Sequence, residues 1–181
     1  MPTLVLFFLG SAIVSHRKRQ TNLNFVTGIA LLAVITVAEI WSLSILIAGL
    51  PGKRQFPPEL LRSAAALWVS NILVFASWYW HLDAGGPHKR YLRDAHTEGA
   101  FLFPQMTLPP DSQLSKSNWK PDFIDYLFLA FNASTAFSPT DAPVLSRWAK
   151  LLMMVQSSVS LGTIAILAVR AIFAAHATTI L

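Results

Sequence analysis

The sequence contains no cysteine and few charged residues. Asp, Glu, Lys and Arg make up 13% of the 181 residues, about half the ~25% typical of soluble domains. The lack of cysteine excludes disulfides, cysteine-ligated zinc, iron–sulfur clusters and thiol nucleophiles. Because 54% of the residues are hydrophobic, the composition also excludes a disordered chain and argues against a soluble enzyme. It predicts one domain, residues 1–181, that lies in a lipid bilayer.

Three long apolar runs predict transmembrane helices. Residues 25–50 contain a single charge, Glu39, and as a helix they would reach about 39 Å, enough to cross a ~30 Å hydrocarbon core. Residues 63–82 and 151–169 carry no formal charge, and we expect the last helix to run from 143 to 173. Residues 2–15 are apolar but shorter, so they predict a short or tilted fourth span that pairs with the next helix within residues 1–62.

The stretch before the last span predicts a half-helix. Residues 123–131 are apolar but too few to cross a bilayer, and the small and polar residues 132–138 follow them. Pro139 should end any helix by Ser138, and Thr140 or Asp141 could cap the last helix. Irregular backbone at membrane depth is tolerated only where protein or a watery cavity surrounds it. The pattern therefore fits a re-entrant loop, or else an interfacial helix lying flat on the membrane before a plain connector.

The order of these features carries a resemblance to a known module. Residues 63–173 contain, in order, an outer helix, a short helix, the stretch from Thr135 to Asp141, and a helix start with Pro143 and Arg147. In this order they resemble the pore module of tetrameric potassium-channel-like proteins. The segments WYWHLDAGGP, FLFPQM and FNASTAFSPTD resemble a family of small, uncharacterised bacterial integral membrane proteins. The resemblance implies a multi-pass protein of the bacterial inner membrane that assembles as a homo-oligomer, with a tetramer as the expected state.

The filter region departs from the potassium-channel pattern. The stretch equivalent to the selectivity filter comprises Thr135, Ala136, Phe137, Ser138, Pro139, Thr140 and Asp141, and it contains no glycine. A potassium filter presents rings of backbone carbonyls and needs glycine at left-handed dihedrals, which Pro139 cannot adopt. We therefore expect a constriction at residues 135–141 that passes small inorganic ions without standard potassium selectivity. Pore-lining candidates on the last helix are Gln156, Ser157 and Ser160.

Polar residues inside the spans are the other candidate site. Glu39 lies near the middle of its span, where an ionised carboxylate costs at least a few kcal/mol unless it is hydrated or paired. Asn71 and Gln156 are the expected partners. Glu39 fits either a proton or cation site or a neutral packing residue. The face formed by Gln156, Ser160 and Thr163 at helical spacing fits close helix packing or pore lining.

No sequence motif predicts a metal site, a cofactor site or an enzyme activity. The spacing of His81, His88 and His96 fits no compact zinc site, so we expect solvated interfacial histidines and no metal or cofactor. No nucleophile elbow or phosphate loop occurs, which predicts no enzyme activity. The short basic clusters flank spans and favour membrane lipids over nucleic acid as contacts. The sequence thus predicts an all-α integral membrane protein, with three to four transmembrane helices and a re-entrant half-helix before the last. Its predicted role is channel-like, or else that of a non-conducting structural subunit that packs against partner membrane proteins.

Overall fold

The computed structural model describes residues 22–48, 57–96, 98–109, 119–135 and 142–179. Within these residues the regular structure is helical, apart from one isolated β-bridge. The α-helices are α1 (Asn22–Ala48), α2 (Pro57–Leu82), α3 (Pro87–Leu92), α4 (Phe123–Thr135) and α5 (Arg147–Thr179), and single 3-10 turns lie at Asp83–Gly85 and Pro104–Thr107. The described part of the chain therefore confirms the all-α class.

Three of these helices are long and apolar enough to cross a membrane: Asn24–Ala48, Leu61–Gly85 and Arg147–Val169. They correspond to the three long runs of the sequence and are compatible with a multi-pass membrane protein. The outward side of α1 is strongly apolar, with Val34, Val37 and Trp41 all about two-thirds exposed. Such a surface suits lipid better than water. The expected span at residues 2–15 lies outside the described residues.

Helices α1 and α2 run antiparallel. Near the start of α1, Gly28 lies against the His81 imidazole in the last turn of α2. Further along, the Trp78 indole N–H donates to the Thr36 hydroxyl at 2.9 Å. That hydroxyl donates in turn to the carbonyl of Leu32, so Thr36 and Trp78 satisfy each other within this interface.

Backbone conformation ends α2 sharply. Ala84, Gly85 and Gly86 all have positive φ, at 50°, 83° and 94°, and a left-handed residue after the last turn is a usual helix stop. The polar insert comprises residues 84–120, and its residues 84–96 and 98–109 fold back over the end of α2. Its Phe101 packs edge-on against Tyr79 at 5.2 Å between ring centroids and also contacts Tyr126 and Trp148. An aromatic core therefore lies where α2, the insert, α4 and α5 meet.

Helix α4 packs against both α2 and α5. Its first residue, Phe123, contacts Trp80 near the end of α2, and its penultimate residue, Ser134, reaches Asn71 in the middle of α2. Helix α5 begins beside the same aromatic core, because Trp148 contacts Phe101. Helices α4 and α5 therefore start at the same end of the bundle and point in the same direction.

Helix α4 ends at Thr135, four residues past the apolar run 123–131 and before the limit at Ser138 that Pro139 predicts. Both predicted ends of the last helix are wrong, because α5 runs from Arg147 to Thr179 and not from 143 to 173. It starts late because Val144 forms an antiparallel bridge with Phe101. In that bridge the Leu102 N–H donates to the carbonyl of Pro143 at 2.9 Å, and the Leu145 N–H donates to the carbonyl of Ala100 at 2.7 Å. Ser146 then caps the helix by accepting from the Ala149 N–H at 3.4 Å.

Candidate functional site

The last carbonyls of α4 are bound by polar side chains of α5. The Gln156 amide donates to the carbonyl of Ala130 at 2.6 Å, the Ser157 hydroxyl donates to Ala133 at 3.1 Å, and the Ser160 hydroxyl donates to Ser134 at 2.7 Å. Ala133 and Ser134 are among the last four residues of α4, whose carbonyls have no partner within the helix itself, whereas the Ala130 carbonyl lies one turn earlier. We call the side chains of Gln156, Ser157 and Ser160, together with the α4 carbonyls that they bind, the α4–α5 polar seam.

Gln156 joins this seam to α2. Its side-chain oxygen accepts from the Tyr79 hydroxyl at 2.5 Å, and its nitrogen also donates to the Ser134 hydroxyl at 2.8 Å. The Asn71 amide donates to the backbone carbonyl of Gln156 at 3.2 Å and more weakly to the Ser134 hydroxyl at 3.5 Å. All four side chains are buried. In the described part of the chain, the Asn71 side-chain oxygen is the atom of this group that lacks a partner.

The position of the seam along α5 shows how far α4 extends into the helix bundle. Gln156 lies roughly 14 Å along α5 from the first residue of that helix. With 13 residues, α4 is about 20 Å long, shorter than the ~30 Å hydrocarbon core. The seam therefore lets a helix end among apolar surroundings, with its terminal carbonyls bonded to protein rather than to water.

Thr135 is the one residue of the predicted constriction that lies within the described residues. Thr135 is the last residue of α4, and its exposed hydroxyl donates back to the carbonyl of Phe131 at 2.9 Å. Residues 136–141 lie outside the described residues. Gln156 and Ser160 are buried against α4, whereas Ser157 is half-buried. Pore lining by these three residues concerns an assembly of several chains and stays a prediction.

Glu39 has none of the partners expected for it. It is 6% exposed, and neither carboxyl oxygen has a hydrogen-bond partner among the described residues. Asn71 and Gln156, the expected partners, bond to each other and to α4 instead. The prediction of that pairing is therefore wrong. The side chain of Ser70 on α2 lies near the Glu39 carboxyl, but its geometry is not that of a hydrogen bond.

A second polar cluster, which sequence reasoning missed, holds the insert against α2. Asp83 is fully buried, and its carboxylate accepts from the Ala100 N–H at 2.5 Å and from the Tyr126 hydroxyl at 2.6 Å. The Arg90 guanidinium donates to the backbone carbonyls of Trp80 and Asp83 and lies 5.0 Å from the centroid of the Tyr126 ring. The signal in the sequence was an acidic residue placed directly between an apolar span and two glycines.

His96 belongs to this cluster. It is 7% exposed, so the expectation of a solvated histidine is wrong at this position. Its Nε2 atom lies 3.6 Å from an Asp83 carboxylate oxygen, too far for a hydrogen bond. Burial lowers the pKa of His96, and repulsion from Arg90 and Arg93 adds to the effect, while Asp83 opposes it. The folded protein therefore favours the neutral imidazole.

The described residues contain no cluster of three or more metal-ligating side chains. No protein-family model, curated protein or solved structure matches this chain. The polar seam, the Asp83 cluster and Glu39 are the buried polar sites of the described residues.

Proposed function

We propose that α4 is a re-entrant half-helix in a channel-like membrane protein. The single observation that carries this proposal is the α4–α5 polar seam, because it satisfies the carbonyls of Ala133 and Ser134 at a helix end that lies roughly 15–20 Å along α5. Non-helical backbone at membrane depth requires such burial in protein. The common starting end of α4 and α5 supports the same path, since both helices begin beside the aromatic core.

In this proposal several copies of the chain surround a path for small inorganic ions. Residues 135–141 form the constriction, and Asp141 supplies a negative charge at its mouth, which favours cations. A single copy encloses no axial path, so function requires a homo-oligomer, with a tetramer expected from the resemblance. The cell membrane of a bacterium is the proposed location, and membrane lipids cover the outer faces of α1 and α5.

Flux through liposomes tests conduction. Purified protein in sealed vesicles should pass monovalent cations faster than empty vesicles do, and Asp141→Asn should slow this flux. Asp94→Asn is the matched control, because Asp94 is an exposed carboxylate of the polar insert outside the proposed path. Equal leak from all proteins and from empty vesicles would contradict conduction, and so would a strict monomer in mild detergent.

A second candidate function is favoured by one specific observation. Gln156 and Ser160 are buried within one chain, and their hydrogen-bonding groups bind α4, which leaves them poorly placed to face an axial path. A non-conducting subunit that packs against partner membrane proteins would use the same seam as an internal brace. The flux experiment separates the two functions, since a stable oligomer without flux supports this second candidate.

A further inference from the structure

We propose that Glu39 is a proton-binding site that holds α1 against α2 and α5. The carboxyl is 6% exposed, and neither of its oxygens has a hydrogen-bond partner in the described part of the chain. Glu39 lies on the packed face of α1, at helical spacing from Leu32, Thr36 and Leu43. This inference goes beyond the proposed channel-like function and does not depend on it.

The packing around Glu39 involves three helices. One turn before it, Thr36 accepts from Trp78 of α2. One turn after it, Leu43 packs against Val159 and Ile166 of α5. Leu43 also approaches Gly162, where an added Cβ would lie 3.3 Å from a Leu43 methyl carbon. Glu39 is thus enclosed between two points at which α1 is anchored, one on each neighbouring helix.

No described cation is placed to pair with Glu39. Among the described side chains of α2, the titratable groups are Arg62, which is exposed, Tyr79, which bonds Gln156, and His81, which lies against Gly28. Gly28 is roughly 16 Å along α1 from Glu39. The described charged side chains of α5 are Arg147 and Lys150, which are exposed in the first turn of the helix, and the side chains of residues 170–179 lie outside the described part. None of these groups forms an ion pair or hydrogen bond with the carboxyl among the described residues.

A proton fits this environment better than a metal ion does. An unpaired carboxylate at the centre of a bilayer costs at least a few kcal/mol, whereas a protonated carboxyl carries no charge. A hard metal cation needs several oxygen ligands, about six for Ca²⁺ or Mg²⁺. The Ser70 hydroxyl is the polar side chain that lies near Glu39, and the Thr36 hydroxyl already serves Leu32 and Trp78.

Protonation should therefore control how tightly α1 is docked. The neutral side chain can stay within the three-helix interface without a partner of opposite charge. The ionised side chain requires water or a cation, and either one must separate α1 from α2 or α5 to reach it. A proton bound at Glu39 thus stabilises the packed arrangement of α1.

Modification by dicyclohexylcarbodiimide tests the proposal in the full-length protein in liposomes. This apolar reagent reacts with protonated carboxyls: the acid adds across one C=N bond, its proton passes to nitrogen, and the O-acyl adduct rearranges to a stable N-acylurea without a leaving group. We expect mass spectrometry to find the adduct on the peptide that contains Glu39 in mildly acidic buffer, with less adduct in alkaline buffer. Glu39→Gln should carry none.

The controls separate a buried proton site from its alternatives. A water-soluble carbodiimide with an added amine should modify the exposed Asp94 and Glu98 and spare Glu39. Equal modification of Glu39 by both reagents would overturn the proposal, because the carboxyl would then be solvated. Protection by added Na⁺ or Ca²⁺ at constant pH would overturn it in favour of a metal cation.

Infrared spectroscopy gives a second readout that needs no reagent to reach the site. The wild-type protein in mildly acidic buffer should show the carbonyl band of a protonated carboxylic acid, and Glu39→Gln should lose that band. A wild-type spectrum that Glu39→Gln leaves unchanged would overturn the proposal, since Glu39 would then be ionised.

Discussion

Gln156 connects more buried partners than any other side chain in the described part of the α2, α4 and α5 interface. It accepts from Tyr79 and donates both to the carbonyl of Ala130 and to the Ser134 hydroxyl. Without Gln156 the buried Tyr79 hydroxyl would lose its acceptor, whereas the Ser134 hydroxyl would keep the weaker contact with Asn71. A buried polar group left unsatisfied costs about 1–3 kcal/mol. Gln156 therefore stabilises the fold mainly by satisfying buried partners that would otherwise lack a hydrogen bond.

Replacing Gln156 should destabilise the protein strongly. We expect Gln156→Leu to lower the free energy of unfolding by about 1–3 kcal/mol, since it leaves the buried Tyr79 hydroxyl without its acceptor. Ser158→Ala is the matched control on the same helix, because Ser158 is exposed and bonds only to Met154 of its own helix. Thermal unfolding in detergent compares the two variants. Equal melting temperatures would contradict the bracing role of Gln156.

Gly99 shows how closely the Asp83 cluster is packed. A Cβ at this position would lie 2.8 Å from both the Asp83 Oδ1 atom and the His96 Nε2 atom. We therefore expect Gly99→Ala to destabilise the fold by about 1–3 kcal/mol, as overpacking typically does.

Gly162→Ala is the control for this prediction. Its new Cβ would meet only a methyl group of the Leu43 side chain at 3.3 Å, and alanine favours a helix by about 1 kcal/mol over glycine. The two variants should therefore differ clearly in chemical or thermal unfolding. A Gly99→Ala protein as stable as Gly162→Ala would show that Asp83 and His96 are not held in this arrangement.

At the scale of elements, the polar insert is attached to the end of α2 through buried charge. Asp83 receives the Ala100 N–H of the insert and the Tyr126 hydroxyl of α4, so one carboxylate joins three elements. The His96 imidazole is packed beside it and is favoured in its neutral form, with its pKa below the ordinary value. The stability of this attachment should therefore depend on pH.

The sign of that dependence follows from the lowered pKa of His96. In the unfolded chain His96 takes up a proton near its ordinary pKa of 6.5, while in the folded protein it does so only at lower pH. Protonation of the unfolded chain therefore destabilises the fold as the pH falls below about 6.5. We expect acidification over that range to lower the melting temperature of the wild-type protein relative to that of His96→Gln, in which Glu39 is unchanged. A difference in melting temperature between the two proteins that does not change with pH would contradict the assignment.

Element boundaries show where local sequence signals failed. Pro143 is a good first-turn residue, yet α5 starts later because the bridge between Phe101 and Val144 draws the chain into an extended conformation. That pairing joins residues far apart in the sequence, and no local pattern reveals it. The polar end of α4 looked irregular for the same reason, since the side chains that satisfy it lie more than 20 residues further along.

At the scale of the whole molecule, long-range composition was the more reliable guide. The scarcity of charge located the three helices that can cross a membrane, because charge is excluded from a long apolar span. The hydrogen-bond partners of the buried polar side chains were less predictable. Asn71 and Gln156 were correctly singled out as buried polar residues, but which polar groups meet depends on helix rotation, and composition does not fix that.

A re-entrant α4 places the chain before and after this helix on the same side of the membrane. Because the sequence contains no cysteine, single-cysteine labelling in intact cells and inverted vesicles tests this directly. Thr107→Cys and Leu145→Cys lie before and after α4, whereas Arg62→Cys lies near the opposite end of α2, and all three positions are exposed. A membrane-impermeant maleimide should label Thr107→Cys and Leu145→Cys from one side and Arg62→Cys from the other. Phe131→Cys, on the outward face of α4, should react only with a permeant reagent. Labelling of Leu145→Cys from the same side as Arg62→Cys, or of Phe131→Cys by the impermeant reagent, would contradict a re-entrant α4.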